Sequence, residues 1–216
     1  MKPIRTQPDF VAERRRMVEI IRAYGVDDQR ILDAMSRIPR EQFIPEPFRD
    51  ESAYGNHPCP IGHGQTISQP FIVAYMTSML HLKPGDRVLE VGSGCGYQTA
   101  VLAELGGEVY CVELVDELAE YARDTLAEQG YTNVHIRTGD GSFGWVEHAP
   151  FDAIIVACAA RRIPPALVEQ LAEGGRMILP VGHYDQDLVL VTNENKEQKN
   201  EYLLKVQFVP LITGGK

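Results

Sequence analysis

The sequence predicts an α/β fold: a doubly wound, mostly parallel seven-stranded sheet that finishes in a C-terminal antiparallel hairpin and is preceded by a helical N-terminal extension. Three observations carry that expectation. After the turn Lys83-Pro84-Gly85-Asp86, short apolar runs alternate with stretches of helical periodicity, the pattern of βαβ units. One of these runs, Val88-Leu89-Glu90-Val91, reads as a buried parallel strand and passes directly into Gly92-Ser93-Gly94-Cys95-Gly96. At the far end, the polar connector Asn193-Glu194-Asn195-Lys196-Glu197 is too short for a crossover, so the stretches at 187–192 and 202–209 must pair antiparallel.

The elements follow in order. Across residues 10–24, Phe10, Met17, Ile21 and Tyr24 share one helical face, and the triplet Arg14-Arg15-Arg16 is expected on a solvated one. Asp27 or Asp28 caps a second helix carrying Ile31, Leu32 and Met35, which Pro39 ends. Residues 46–64 are rich in Pro, Gly, His, Asn and charge, and Pro58-Cys59-Pro60 is too stiff for regular structure; a long irregular lid or binding loop is expected. A helical pattern over 71–82 follows, with Pro70 suited to its first turn and Ser68 placed to cap it. Beyond the strand at 88–91 come a helix over 98–105 closed by Gly106-Gly107, a strand at 108–112 leading to Glu113, a helix over 116–129 stopped by Gly130, and a strand at 134–138. A strand at 151–157, a helix opened by Pro164-Pro165 and closed by Gly174-Gly175, and a strand at 176–181 complete the parallel part.

Composition agrees with one compact domain over residues 1–216, divided into an N-terminal helical and loop extension (1–69) and an α/β core with its hairpin (70–216). With 44% hydrophobic residues the chain can bury a sizeable core. Its 30 acids against 21 bases give a formal charge of -9, which argues against nucleic acid as a partner, because phosphate binding needs basic patches. Cys59, Cys95, Cys111 and Cys158 show no Cys-x-x-Cys spacing, which fits reduced thiols better than disulfides or zinc. Met1 to Gln7 lack the apolar centre of a secretory leader, and the longest apolar run is far too short to span a bilayer. A cytoplasmic, monomeric protein without a metal is expected.

Glycine at every second position lets the backbone turn tightly and approach a ligand with no Cβ in the way. The spacing is Gly-x-Gly-x-Gly, and Tyr97 stands where the dinucleotide fingerprint has its third glycine, which argues against NAD and FAD. Glu90 precedes the loop. Glu113, 21 residues after Gly92, ends the next strand, where such sheets hydrogen-bond the ribose hydroxyls of an adenosine ligand. Together these suggest S-adenosyl-L-methionine. Without the two acids the loop would read as an ordinary strand-turn-helix. Asp140 alone reads as an Asp-Gly turn, although it too lies at the carboxyl end of a strand.

The glycine loop, Glu113 and Asp140 resemble the class I S-adenosylmethionine-dependent methyltransferases. Further stretches narrow the resemblance: Ile61-Gly62-His63-Gly64-Gln65-Thr66-Ile67-Ser68-Gln69-Pro70, Gly139-Asp140-Gly141, Ala149-Pro150-Phe151-Asp152-Ala153-Ile154-Ile155-Val156, Leu179-Pro180-Val181-Gly182, Phe208-Val209-Pro210-Leu211 and Ile38-Pro39-Arg40-Glu41-Gln42-Phe43-Ile44-Pro45 are similar to the protein-L-isoaspartate O-methyltransferase family, over nearly the whole chain. The resemblance implies a Rossmann-like methyltransferase fold. It also implies that Gln65, Thr66, Ile67 and Ser68 border cofactor and acceptor, with Ser68 the active-site residue. Gly92 and Gly94 would approach the methionine part of the cofactor with Ser93 between them, Glu113 would hold the ribose beside Leu114, and Asp140 with Gly141 would bind near the adenine. Cys95, Arg161-Arg162 and Gln207 depart from the family's usual residues.

The reaction implied moves the sulfonium methyl onto the free carboxylate of an isoaspartyl residue in a damaged peptide or protein, giving an ester that collapses to succinimide. A carboxylate with a pKa of about 4 is already ionised at neutral pH, so no general base is required. The alternatives are an O-methyltransferase of a small carboxylic acid and a cofactor-binding protein without this activity. The retained stretches around Ser68 and at 208–211 tell against both, because neither is needed merely to bind cofactor.

Overall fold

The computed structural model describes residues 9–49, 51–195 and 197–214. Met1 to Gln7, read above as lacking the apolar centre of a leader, and Lys196 in the polar connector lie outside these residues. Helices α1 (Phe10–Ala23) and α2 (Gln29–Arg37) open the chain, and the Asp28 carboxylate caps α2 by accepting from Arg30 N. Met17 and Ile21 are buried as their spacing requires, whereas Tyr24 is exposed. Arg14 corrects the solvated-face expectation: its guanidinium donates to Tyr54 Oη, to the Arg37 carbonyl and to Glu41, so α1 is pinned to the segment behind α2.

Residues 46–64 are also more regular than expected. Two short 3-10 turns (Glu46–Phe48, Glu51–Tyr54) precede a small antiparallel hairpin of β1 (Cys59–Gly62) and β2 (Gln65–Ile67). The prolines flanking Cys59 do not prevent a strand here, because a two-stranded ribbon has only edges and leaves one side of each strand free of ladder bonds. Helix α3 (Pro70–Leu80) follows with Pro70 at its first position. Ser68 does not cap it. Gln69 occupies the cap position without a side-chain bond, and Asn56 Oδ1 accepts from Phe71 N instead.

The main sheet comprises β3 (Val88–Val91), β4 (Val109–Glu113), β5 (Val134–Thr138), β6 (Phe151–Val156), β7 (Leu171–Gly182), β8 (Gln186–Glu194) and β9 (Glu197–Val206), in the order β5-β4-β3-β6-β7-β8-β9. All neighbours are parallel except β7 with β8 and β8 with β9, so β8 is the one reversed strand. Gly174-Gly175 do not close a helix: α6 (Pro165–Glu169) stops earlier, β7 begins at Leu171, and the glycines lie inside it at a register shift against β6. Helices α4 (Tyr97–Leu105) and α5 (Asp116–Glu128) cover one face together with α1 to α3, in a core that runs from Met17 to Leu190. Residues Leu89, Val91, Tyr110 and Val112 point to the opposite face, against Leu167 of α6 and Trp145. The chain runs outward from β3 to β5 and then returns to β6, so the order switches between β3 and β6, where open α/β sheets form a ligand crevice.

Candidate active site

A cleft of about 820 Å³, counting its open mouth, lies beyond the carboxyl ends of β3, β4 and β6. Its floor is the loop Gly92 to Cys95 with Tyr97 and Gln98. One wall is Gln65, Thr66, Ile67 and Ser68; another is Glu113, Leu114 and Val115; Gly141, Ala157 and Cys158 close the side; residues 209–212 complete the rim. Gly92 and Gly94 have φ of +82° and +53°, conformations that side chains rarely adopt. A Cβ on Gly94 would also stand 3.1 Å from Ile61 Cδ1, so the β1–β2 hairpin rests on the loop it faces.

Glu113 is the junction of this site. Its Oε2 accepts from Gly94 N at 2.8 Å and its Oε1 from Val115 N at 3.0 Å. The carboxylate therefore fixes the glycine loop against the tip of β4, and each oxygen retains a lone pair for a hydroxyl donor in the cleft. The Ser68 carbonyl accepts from Arg40 Nη2 at 2.8 Å, while its hydroxyl has no partner among the described residues. All the expected cofactor-binding residues line the cleft except Asp140. The Asp140 carboxylate holds Ser142 through N and Oγ, and accepts from Gly214 N at 2.7 Å. It shapes the turn that presents Gly141 and ties down the chain after residue 212.

Glu90, the acid before the loop, faces away from the cleft. It is fully buried, with Oε2 accepting from Thr99 Oγ1 at 2.6 Å and from Cys111 Sγ, and Oε1 unpartnered. Burial pushes its carboxyl up to about 7, against the downward pull of those two hydrogen bonds and helped by the Glu113 charge. Burial likewise pushes the Cys95 thiol up to about 11 and the Cys158 thiol up to about 12, so neither is an ionised nucleophile near neutral pH. Of the departing residues, Cys95 is buried in the loop, whereas Arg161, Arg162 and Gln207 are exposed. Ala157, Cys158 and Val115 carry a positional signal: the first two follow β6, which flanks the switch point, and Val115 lies just past the tip of the neighbouring β4, at the carboxyl ends where crevice residues come from.

The match to known proteins follows this geometry. The family model for protein-L-isoaspartate(D-aspartate) O-methyltransferase matches residues 12–216. The chain belongs to this family. It is 53% identical over 206 residues to protein-L-isoaspartate O-methyltransferase 2 of Anaeromyxobacter sp. (strain Fw109-5), covering 94% of this chain and 84% of the relative. It is 51% identical to the protein-L-isoaspartate O-methyltransferase of Gloeobacter violaceus, covering 89% and 95%. Among solved structures, a Plasmodium falciparum chain described as a beta-aspartate methyltransferase, in complex with S-adenosyl-L-homocysteine, superposes with a TM-score of 0.82 at 27% identity, over 93% of this chain and 99% of that one. The isoaspartyl methyltransferase family thus accounts for the Rossmann-like methyltransferase fold and for the dependence on S-adenosyl-L-methionine. The left-handed glycines and the free lone pairs of Glu113 fit that cofactor. No helix among the described residues is long and apolar enough to cross a membrane.

Proposed function

We propose that this chain transfers the methyl group of S-adenosyl-L-methionine to the free carboxylate of L-isoaspartyl residues in damaged peptides and proteins. The observation that carries this reading is the placement of Gln65 to Ser68 across one cleft from the glycine loop and Glu113. When bound, the cofactor supplies an activated sulfonium methyl. Gly92, Ser93 and Gly94 would border its methionine end, and Glu113 with Leu114 would hold the ribose. Gly141 would lie beside the adenine, with Asp140 shaping the turn that presents it. Ser68 orients the acceptor carboxylate through its free hydroxyl. An ionised acceptor needs no base, and no ionised nucleophile is offered by the raised thiols, so the chain's work is alignment in a dehydrated crevice.

Isomer choice follows from geometry. The isoaspartyl residue carries an extra methylene in its main chain and holds its carboxylate one carbon closer to the backbone. A displacement of about 1 Å from in-line attack costs on the order of a hundredfold in rate. Residues 46–67 and 208–211 are placed to grip the flanking peptide, 209–211 along the rim. The same reading takes residues 1–216 as one catalytic domain acting as a cytoplasmic monomer without nucleic acid, which the shared core, the four free buried thiols and the charge of -9 support. A radiolabelled methyl-transfer assay with matched isoaspartyl and aspartyl peptides tests it: several isoaspartyl sequences should be methylated and their aspartyl forms left nearly inert. Equal rates on both isomers, or activity only on a free small carboxylic acid, would leave the generic methyltransferase reading.

A further inference from the structure

Arg40 is the only fully buried cationic side chain among the described residues. Its Nε donates to the Ala53 carbonyl at 2.7 Å and its Nη2 to the Ser68 carbonyl at 2.8 Å, while its carbon Cζ stands 4.8 Å from the Tyr97 ring centroid. Nη1 has no partner. The guanidinium has no carboxylate at ion-pair distance among the described residues, and the neighbouring acid, Glu41, is already engaged by Arg14 and Tyr54. The other titratable groups close to Arg40 supply no anion, because burial raises the Tyr97 hydroxyl to about 12 and the Cys95 thiol to about 11. Ser93 and Tyr97, which line the cleft, likewise keep buried hydroxyls without partners.

A buried, unbalanced charge costs several kcal/mol in isolation, and two carbonyl dipoles and a ring face offset only part of that. It becomes balanced when an anion is brought to the other side of the groups it touches. We propose that Arg40 is a positioning residue whose fixed charge, acting through the Ser68 backbone and the Tyr97 ring, holds a ligand carboxylate in the cleft. The inference rests on the proposed function, which brings two such carboxylates: that of the isoaspartyl acceptor and that of the cofactor's methionine end. Methyl transfer cancels the acceptor's negative charge against the sulfonium, so a nearby cation favours the bound ground state more than the transition state. Arg40 therefore tightens binding without lowering the barrier of the chemical step.

The test uses Arg40→Met and Arg40→Lys in the full chain, each checked for folding by thermal melts. Affinity for S-adenosyl-L-homocysteine is read by calorimetry, and peptide KM and kcat by steady-state methylation across pH. Arg40→Met should weaken one of the two affinities roughly tenfold or more, the scale of a unit-charge interaction in a partly dehydrated site, with kcat no lower than in wild type. A weakened S-adenosyl-L-homocysteine complex assigns the charge to the cofactor carboxylate; a raised peptide KM assigns it to the acceptor. Arg40→Lys should restore that affinity at about pH 6 and lose it relative to wild type by about pH 9, because a buried lysine gives up its proton where arginine does not. A charge-free structural role predicts instead that Lys is as defective as Met at every pH, since one ammonium cannot reproduce the fork to two carbonyls. That result, or unchanged affinities in folded Arg40→Met, overturns the proposal. If Arg40→Met does not fold, the pH profile of Arg40→Lys decides alone. If the wild type methylates no isoaspartyl peptide, the functional reading fails separately, and the calorimetric arm still tests Arg40 against the cofactor carboxylate.

Discussion

Glu113 binds two backbone amides of its own chain and keeps capacity for a ligand, so its loss should be felt twice. Glu113→Ala is expected to weaken cofactor binding by roughly 1–3 kcal/mol, the scale of charge-assisted hydrogen bonds, in calorimetry on folded protein. Unchanged affinity would remove it from the site. Ser68 is simpler, because the structure relieves it of helix capping. Ser68→Ala should lower the methylation rate while leaving the melting temperature and cofactor affinity near wild type; a preserved rate would strip it of its role. Glu90 carries a pH dependence of opposite sign to the usual surface carboxylate. Its carboxyl is raised from 4.5 to about 7 in the fold. Between those values the native state keeps a proton that the unfolded chain has released, so stability falls as pH rises through this window. Comparing Glu90→Gln with wild type by denaturant titration across the window isolates that slope, with a relative gain for the variant on the order of 3 kcal/mol above neutral pH. Parallel curves for the two proteins would show that Glu90 does not titrate there.

Helix α3 begins where the cleft wall ends, and its first turn is held by a residue 15 positions earlier. Asn56→Ala should cost about 1 kcal/mol of stability, the usual value of a lost N-terminal cap, measured by thermal melts. No change would mean that water replaces the Asn56 oxygen without loss. This contact also explains what could be read in advance. The periods of α1, α4 and α5, the buried runs of β3 and β6, and the glycine loop are local patterns, and they emerged where spacing placed them. The Asn56 cap and the Arg14 anchorage depend on partners well removed in the chain, and the strand beginning at Cys59 depends on pairing with residues 65–67, so proline content and local charge pointed the wrong way. Gly174-Gly175 misled for a related reason: a glycine pair marks a break in regularity, and in β7 that break is a bulge against β6, not a helix stop. Within the site, Gln65 to Ser68, the loop, Glu113 and Gly141 were legible, whereas Arg40 was seen only as part of a signature because its role depends on folding beneath Ser68.

At the scale of the molecule, the surface is acidic, yet Arg161 and Arg162 stand exposed in the segment after β6 with no ion-pair partner among the described residues. They follow Ala159, which bonds to the rim at Val209 and Leu211. Replacing both arginines by alanine should raise the KM of acidic isoaspartyl peptides and flatten its rise with salt, leaving kcat unchanged, as expected for screened surface attraction. Identical KM and salt dependence would make the pair surface decoration. The rim they adjoin has a consequence of another kind. The cleft draws its walls from residues 65–68, 73, 91–95, 97–98, 112–115, 141, 157–158 and 209–212, so its lining is distributed over most of the length of the chain. During synthesis the helices and parallel strands can emerge and condense first, but a nascent chain that has not yet released residues 209–212 lacks the rim. A cleft assembled this way can be completed only after residues 209–212 have left the ribosome, well after the glycine loop and Glu113 have emerged.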